Sequence, residues 1–173
     1  ILDITEATLD LAAATDSDLN EAAVIAGSTL RAFGLDATNS QMVVDTMAAA
    51  FSQSSLDMNK FSVAMASVAP VAKNAGVDMQ RTTAILGKIT DSGTAGTALR
   101  NVFLELSNKG LTWDDAMLQI KASTDKNKTA MDLFGKRGAT VASIIADNTV
   151  EIDLFTQSLY KSEGAAKKMA DTM

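Results

Sequence analysis

The sequence predicts an all-α fold: a compact multi-helix domain of stacked helical hairpins whose helices end at glycines. Three observations carry this. Alanine fills 29 of the 173 positions, against one Pro, one Trp and one Tyr. Ala has the smallest intrinsic cost in a helix, whereas strands favour aromatic and β-branched residues. Apolar residues recur at three- and four-residue steps along most of the chain, the period of one helix face. Lastly, a helix–Gly–helix pattern occurs twice, 42 residues apart, so that 18–36 aligns on 60–78 without a gap. Leu19 then falls on Phe61, Ala26 on Val68, and Gly34-Leu35-Asp36 on Gly76-Val77-Asp78. In each copy the Gly supplies a left-handed helix end, the apolar residue tucks back, and the Asp caps the next helix. An offset of this size is that of a two-helix unit.

In chain order, Ile4, Ala7, Leu11 and Ala14 share one face of a first helix. Asp16, Ser17 and Asp18 offer N-caps for a second, with a stripe of Leu19, Ala23, Ala26, Leu30 and Phe33 that stops at Gly34. Thr38-x-x-Gln41 has the form of a capping box for a third helix bearing Val43, Val44, Met47, Ala50 and Phe51. The fourth carries Phe61, Met65, Val68, Ala72 and Ala75. Pro70 inside it predicts a kink or a break near Ala66. The fifth starts after Asp78 and ends in Asp91-Ser92-Gly93. Leu99, Val102, Phe103 and Leu106 mark the sixth, which Gly110 terminates, and Thr112 caps a seventh bearing Trp113, Met117 and Ile120. Shorter helices follow at 130–134, ended by Gly135, around Val141 and Ile145, and around Ile152 and Leu159. The expected organisation is a main core over 1–122 containing both helix–Gly–helix units, a polar linker at 123–129, and a helical extension over 130–173 that frays after Ser162.

Composition excludes several functions. The chain has no Cys and no His, so it has no thiolate nucleophile, disulfide, Cys/His zinc site or histidine base. A net charge of −6 argues against a surface built to neutralise phosphates. No apolar run approaches the roughly 20 residues of a membrane span, and Ile1-Leu2-Asp3-Ile4 lacks the basic start of a signal peptide. The start without Met reads as an excerpt from a longer chain.

Each candidate chemical motif has a plainer reading. Asp16-x-Asp18-x-Asn20 begins like a calcium loop, but Glu21 and Gly27 stand where that loop needs Gly and Glu, so helix capping explains it. Asp114 and Asp115 are adjacent on a helix and point about 100° apart, so they are first-turn acids rather than a catalytic pair. Gly93-Thr94-Ala95-Gly96-Thr97 could cradle an anion, yet no Lys-Ser/Thr follows it. A tight helix crossing at Gly93 and Gly96 is the better reading. Lys136, Arg137, Lys161, Lys167 and Lys168 form the only basic concentration and read as a solvated face. No catalytic, cofactor-binding or metal-binding set emerges.

Five segments then occur in a telling order: Ala32-Phe33-Gly34-Leu35-Asp36, Ala69-Pro70-Val71-Ala72, Asn74-Ala75-Gly76-Val77, Ala95-Gly96-Thr97-Ala98-Leu99-Arg100 and Leu133-Phe134-Gly135-Lys136-Arg137-Gly138. The chain resembles the core segment of phage tail tape measure proteins, closely over 2–100 and 133–138 and thinly after Asp147. The resemblance marks Phe33, Gly34, Asp36, Pro70, Gly76, Asp78, Gly93, Gly96, Leu99, Arg100, Phe134 and Gly135 as structural motif residues. It implies a non-enzymatic structural role in the virion tail: tail assembly on the tip or baseplate, length determination and DNA delivery. Implied partners are tail tube protein, tip or baseplate proteins and assembly chaperones, with several copies per tail; the residues themselves suggest no cofactor, and the acidic balance suggests no direct nucleic-acid binding. The alternative reading is a generic bacterial helical module that recognises partners through an apolar groove. Physical chemistry adds an expectation. Repeated Gly breaks fold the chain back on itself, with a radius of gyration of roughly 16 Å, so this segment is not itself an extended ruler.

Overall fold

In the computed structural model, which describes residues 2–173 and the side chains from Ile4 onward, the chain is helical and has no strand among the described residues. Ile1, the first residue of the amino end considered above, lies outside the described residues, as do the side chains of Leu2 and Asp3. The helices are α1 (Leu2–Thr15), α2 (Leu19–Ala32), α3 (Ser40–Gln53), α4 (Met58–Asn74), α5 (Met79–Asp91), α6 (Leu99–Lys109), α7 (Trp113–Ala122), α8 (Lys126–Phe134), α9 (Ala139–Asp147), α10 (Thr149–Tyr160) and α11 (Ala165–Thr172).

The helix ends follow from local chemistry. At the end of α2 the Leu35 N–H donates to the Leu30 carbonyl (2.8 Å) and Gly34 N–H to Arg31 (3.1 Å). At the end of α4, Val77 donates to Ala72 (2.9 Å) and Gly76 to Lys73 (3.1 Å). Both are the same left-handed Schellman turn, with φ of 67° at Gly34 and 75° at Gly76. The turn recurs at Gly93 and Gly110. Two residues beyond three of these glycines a side chain caps the next helix. Asp36 accepts from Thr38 N, Asp78 from Arg81 N, and Thr112 forms a full capping box with Asp115. Asp18 caps α2, as expected. Thr38 and Gln41, by contrast, make no capping box. Asp36 caps a 3-10 turn, Ala37–Asn39, that precedes α3, and Gln41 Nε2 instead donates to Asp45.

The two aligned units pack as stacked hairpins, α2 against α4 and α3 against α5. The stack extends in both directions. α1 lies on α2 and α3 at one end; α6 and α9 lie on α4 and α5 at the other, closed by α7 and α8. The last two helices run back along this stack, α10 over α5 and α3, then α11 over α3 and α1. One contiguous buried cluster therefore joins Ala7 and Leu11 to Phe61, Phe103, Phe134, Ile152, Leu159 and Ala166.

Several expectations change here. Residues 130–173 contribute Leu133, Phe134, Ile145, Ile152, Leu159 and Ala166 to the common core. The polar stretch 123–129 is mostly a capped helix start: Asp125 accepts from Lys128 N, and Thr129 Oγ1 donates to Ser123 Oγ at 2.6 Å. Polarity there reflects solvent exposure rather than loss of structure. α4 runs unbroken through Pro70, which sits exposed on its outer side, so the expected break is absent. On α2 the buried face is Ala22, Ile25, Ala26, Thr29 and Leu30, while Leu19 is 45% exposed. Thr29 can enter the core because its hydroxyl donates to the Ile25 carbonyl (2.8 Å). Thr46, Thr82, Thr83 and Thr156 do the same to the carbonyl four residues back.

Candidate functional site

Apart from Pro70, exposed on α4, the motif residues marked in the sequence gather into three neighbourhoods. The first is the pair of hairpin turns. Phe33, Leu35, Gly76, Val77 and Asp78 line one shallow hollow of about 200 Å³ together with Lys73. The Lys73 side chain lies over Gly34, where an added Cβ would come within 2.6 Å of Nζ. A cation there sits at the carboxyl end of α2, where the helix dipole favours it. Asp36, fully exposed, has its carboxyl held below the ordinary carboxylate range first by the Thr38 hydroxyl bond, then by the Thr38 N–H. Asp78 is more engaged. Its Oδ1 accepts from Arg81 N (2.9 Å) and its Oδ2 from the Tyr160 hydroxyl (2.6 Å), tying α10 to the start of α5. Tyr160 is pushed up to about 12 by burial first and by this bond second.

The second neighbourhood is the 93–100 box, where Gly93 and Gly96 have different tasks. Gly93 takes φ 80° with open space around it, so it is needed for backbone conformation alone. An added Cβ at Gly96 would meet Ala64 Cβ and Leu86 Cδ2, both at 2.9 Å. Gly96 is thus the point where the chain wedges against α4 and α5, and the tight crossing expected at both glycines occurs at this one. Leu99 is fully buried behind it and Arg100 is exposed. An open hollow of about 420 Å³ runs beside the box, bordered by Lys60, Val63, Thr90, Gly93, Thr94 and Thr97. The backbone N–H groups that start the 3-10 turn Gly96–Ala98 have no side-chain cap.

The third neighbourhood surrounds Phe134 and Gly135. Phe134 stacks on Trp113 (ring centroids 6.4 Å apart, planes at 10°), and Trp113 meets Phe103 edge-on at 6.2 Å. Lys109 Nζ donates to the carbonyls of Asp132 (2.6 Å) and Leu133 (2.7 Å), closing the end of α8. This aromatic joint fastens α7 and α8 onto α6.

Asp45 was not marked by sequence reasoning. It is 2% exposed on α3. Its Oδ2 accepts from Gly164 N (2.9 Å) and its Oδ1 from Ala166 N (3.0 Å), so it caps α11 from 119 residues away. The one sequence signal was an acid on an otherwise apolar helix face. Asp114, by contrast, leaves its helix and pairs with Arg81 at 3.0 Å. No group of three or more His, Cys, Asp or Glu side chains among the described residues is placed to hold a metal. No helix among them is long and apolar enough to cross a membrane.

The sequence model of the family described as "Phage-related minor tail protein" matches residues 1–173. The chain belongs to this family. This membership, with the two relatives below, favours a phage-tail protein over the generic bacterial module. The chain is 30% identical over 205 residues to the "Tape measure protein" of Pneumococcus phage Dp-1, covering 100% of this chain and 18% of that protein. It is 26% identical over 204 residues to the "Probable tape measure protein" of Escherichia phage P2, covering 98% of this chain and 25% of that protein. Both alignments extend past Asp147. The chain spans a quarter or less of the length of the curated relatives it matches. No solved structure matches it.

Proposed function

We propose that this chain is a folded domain of a tape measure protein, acting without enzymatic chemistry in tail assembly, tail length determination and DNA delivery. Tail tube protein, tip or baseplate proteins and assembly chaperones are its partners, and it is present in several copies per tail. The observation that carries the reading is the family match over all 173 residues, joined to two similar relatives named as tape measure proteins. The fold refines it. A ruler must add length in proportion to residues, and 173 residues of continuous helix would span roughly 260 Å. Here α11 packs against α1, so the first and last helices lie side by side. A segment folded this way adds little to the contour of a longer chain. Its role is therefore that of a node on the ruler, where other tail proteins attach. The motif residues support the node: Gly34, Gly76, Gly93, Gly96, Gly135 and the Asp36 and Asp78 caps shape it, Phe33, Leu99 and Phe134 hold its core, and Pro70 and Arg100 face outward.

The test is an in-frame deletion of 1–173 in the parent phage, followed by electron microscopy and infection assays. Tailless heads or stalled tips, or tails of nearly normal length that fail to deliver DNA, are the expected results. Infectious particles with tails shortened by about 260 Å would show that the segment is ruler after all. Normal tails with normal infection would return the reading to a generic interaction module.

A further inference from the structure

Charge is segregated along the helical stack. Residues 1–57 hold nine carboxylates and a single cation, Arg31, whereas residues 58–173 hold twelve carboxylates and fourteen cations. In space α1 and α2 form one end, with α11 and its Lys167 and Lys168 packed on α1, and α6, α8 and the 3-10 turn Lys136–Gly138 belong to the other, with α4 and α5 between them. At the first end Glu6, Asp16 and Glu21 are exposed and their side chains have no hydrogen-bond or ion-pair partner among the described residues. The nearby Asp10 carboxyl is pushed up by burial; Lys167 pulls it down, while Glu6, Asp45 and Asp171 push it up further.

At the opposite end Arg100, Lys136 and Arg137 are exposed and equally without side-chain partners. Asn101 Nδ2 donates to the Arg137 carbonyl (3.4 Å), which holds the Lys136–Arg137 turn beside the first turn of α6, where Arg100 sits. Glu105, one turn further along α6, is already engaged by Lys109 at 3.8 Å. Four cations pair with carboxylates among the described residues: Lys60 with Asp57, Arg81 with Asp114, Lys109 with Glu105 and Lys121 with Asp153. Arg100, Lys136 and Arg137 are not among these four.

We propose that the two ends dock on each other in neighbouring copies: the Arg100–Lys136–Arg137 surface of one copy receives the acidic α1–α2 surface, with Glu6, Asp16 and Glu21, of the next. The contact joins unlike faces, so it propagates head to tail into a row or a closed ring. Complementary potentials of this kind orient the encounter and fix register more than they add affinity. An acidic protein face suits the site better than a duplex, which is gripped through many phosphate contacts. The Arg100–Lys136–Arg137 surface is a small cationic patch on a molecule with net charge −6.

Sedimentation velocity of the 173-residue chain tests this. At about 0.01 M salt, with a Debye length near 30 Å, the average mass should climb above 18.1 kDa with concentration. It should fall back to monomer at about 1 M salt, where the Debye length is near 3 Å. Arg100→Gln with Arg137→Gln, and separately Glu6→Gln with Glu21→Gln, should each give a folded monomer by circular dichroism. Mixed in equal amounts, they should form a pair of twice the monomer mass and nothing larger, because each brings one intact face. A wild-type chain that stays monomeric at low salt overturns the proposal, as does a mixture of folded variants that never pairs. Duplex DNA binding lost in Arg100→Gln/Arg137→Gln, without self-association of the wild type, would reassign the cationic surface to nucleic acid and equally overturn it.

Discussion

Replacing Asp45 should undock the last helix. α11 has eight residues, fewer than the ~12–15 that an isolated helix needs in water. Its own N-cap, Gly164, offers no side chain. Asp45 supplies what is missing: one oxygen for Gly164 N and one for Ala166 N, at a helix start where the dipole also favours a negative charge. A hydrogen bond to a charged group contributes roughly 1.5–3 kcal/mol. Asp45→Ala removes these two and the one from Gln41 Nε2, yet α11 can release its N–H groups to water by lifting off, which limits the loss to about 3 kcal/mol. For a domain of this size that is a fall in Tm of about 6–12 °C. Asp45→Asn keeps one acceptor and turns an amide toward the other N–H, so about half the loss is expected. Urea unfolding gives the magnitude, and amide exchange over 164–172 locates it. Truncation after Lys161 supplies the control, since Asp45→Ala should then cost almost nothing. A loss below about 0.5 kcal/mol with α11 amides still protected would refute the reasoning, as would an undiminished loss in the truncated chain.

Gly96→Ala should cost about 1–3 kcal/mol by overpacking and should be partly rescued by Ala64→Gly. Gly93→Ala should cost about 1–2 kcal/mol through its left-handed backbone and gain nothing from Ala64→Gly. Equal rescue of both in urea unfolding would contradict the division of tasks between them. Pro70→Ala should raise stability by about 1–2 kcal/mol, because Pro inside a helix forfeits a backbone hydrogen bond and this one is exposed on α4; an unchanged or lowered Tm would count against it. Tyr160 is the single tyrosine, so tyrosinate absorbance reports it alone. Its midpoint should lie well above the ordinary value of 10.0, toward about 12. A hydroxyl whose folded pKa is raised holds its proton longer in the folded state, so its stabilisation is complete below the unfolded pKa. That stabilisation is lost as pH rises through the window between the two values. Tyr160→Phe should flatten the loss of stability in that window, and a midpoint near the ordinary value would exclude the Asp78 bond.

What the sequence determined by itself is the set of helices and most of their ends. A left-handed Gly, an apolar residue and an Asp or Thr cap act through hydrogen bonds spanning a few residues, so Gly34-Leu35-Asp36, Gly76-Val77-Asp78 and the Thr112 start could be read in place. The 42-residue alignment anticipated the stacked hairpins for the same reason: equal turns after equal helices bring equal faces together. The tertiary structure decided which face of each helix is buried and what completes each neighbourhood. Leu19 went outward and Thr29 inward because α2 meets α1, α3 and α4 at once, and an i−4 carbonyl satisfies the threonine hydroxyl. Gly93 and Gly96 look alike in sequence and differ only in what stands opposite them. Asp45 finds its helix start 119 residues later, and Asn101 meets the Arg137 carbonyl 36 residues on, because α10 and α11 fold back along the stack and α9 closes over α6. Short-range hydrogen bonds set the helix ends; packing between distant segments set their partners, and that information is not carried by any local stretch of the chain.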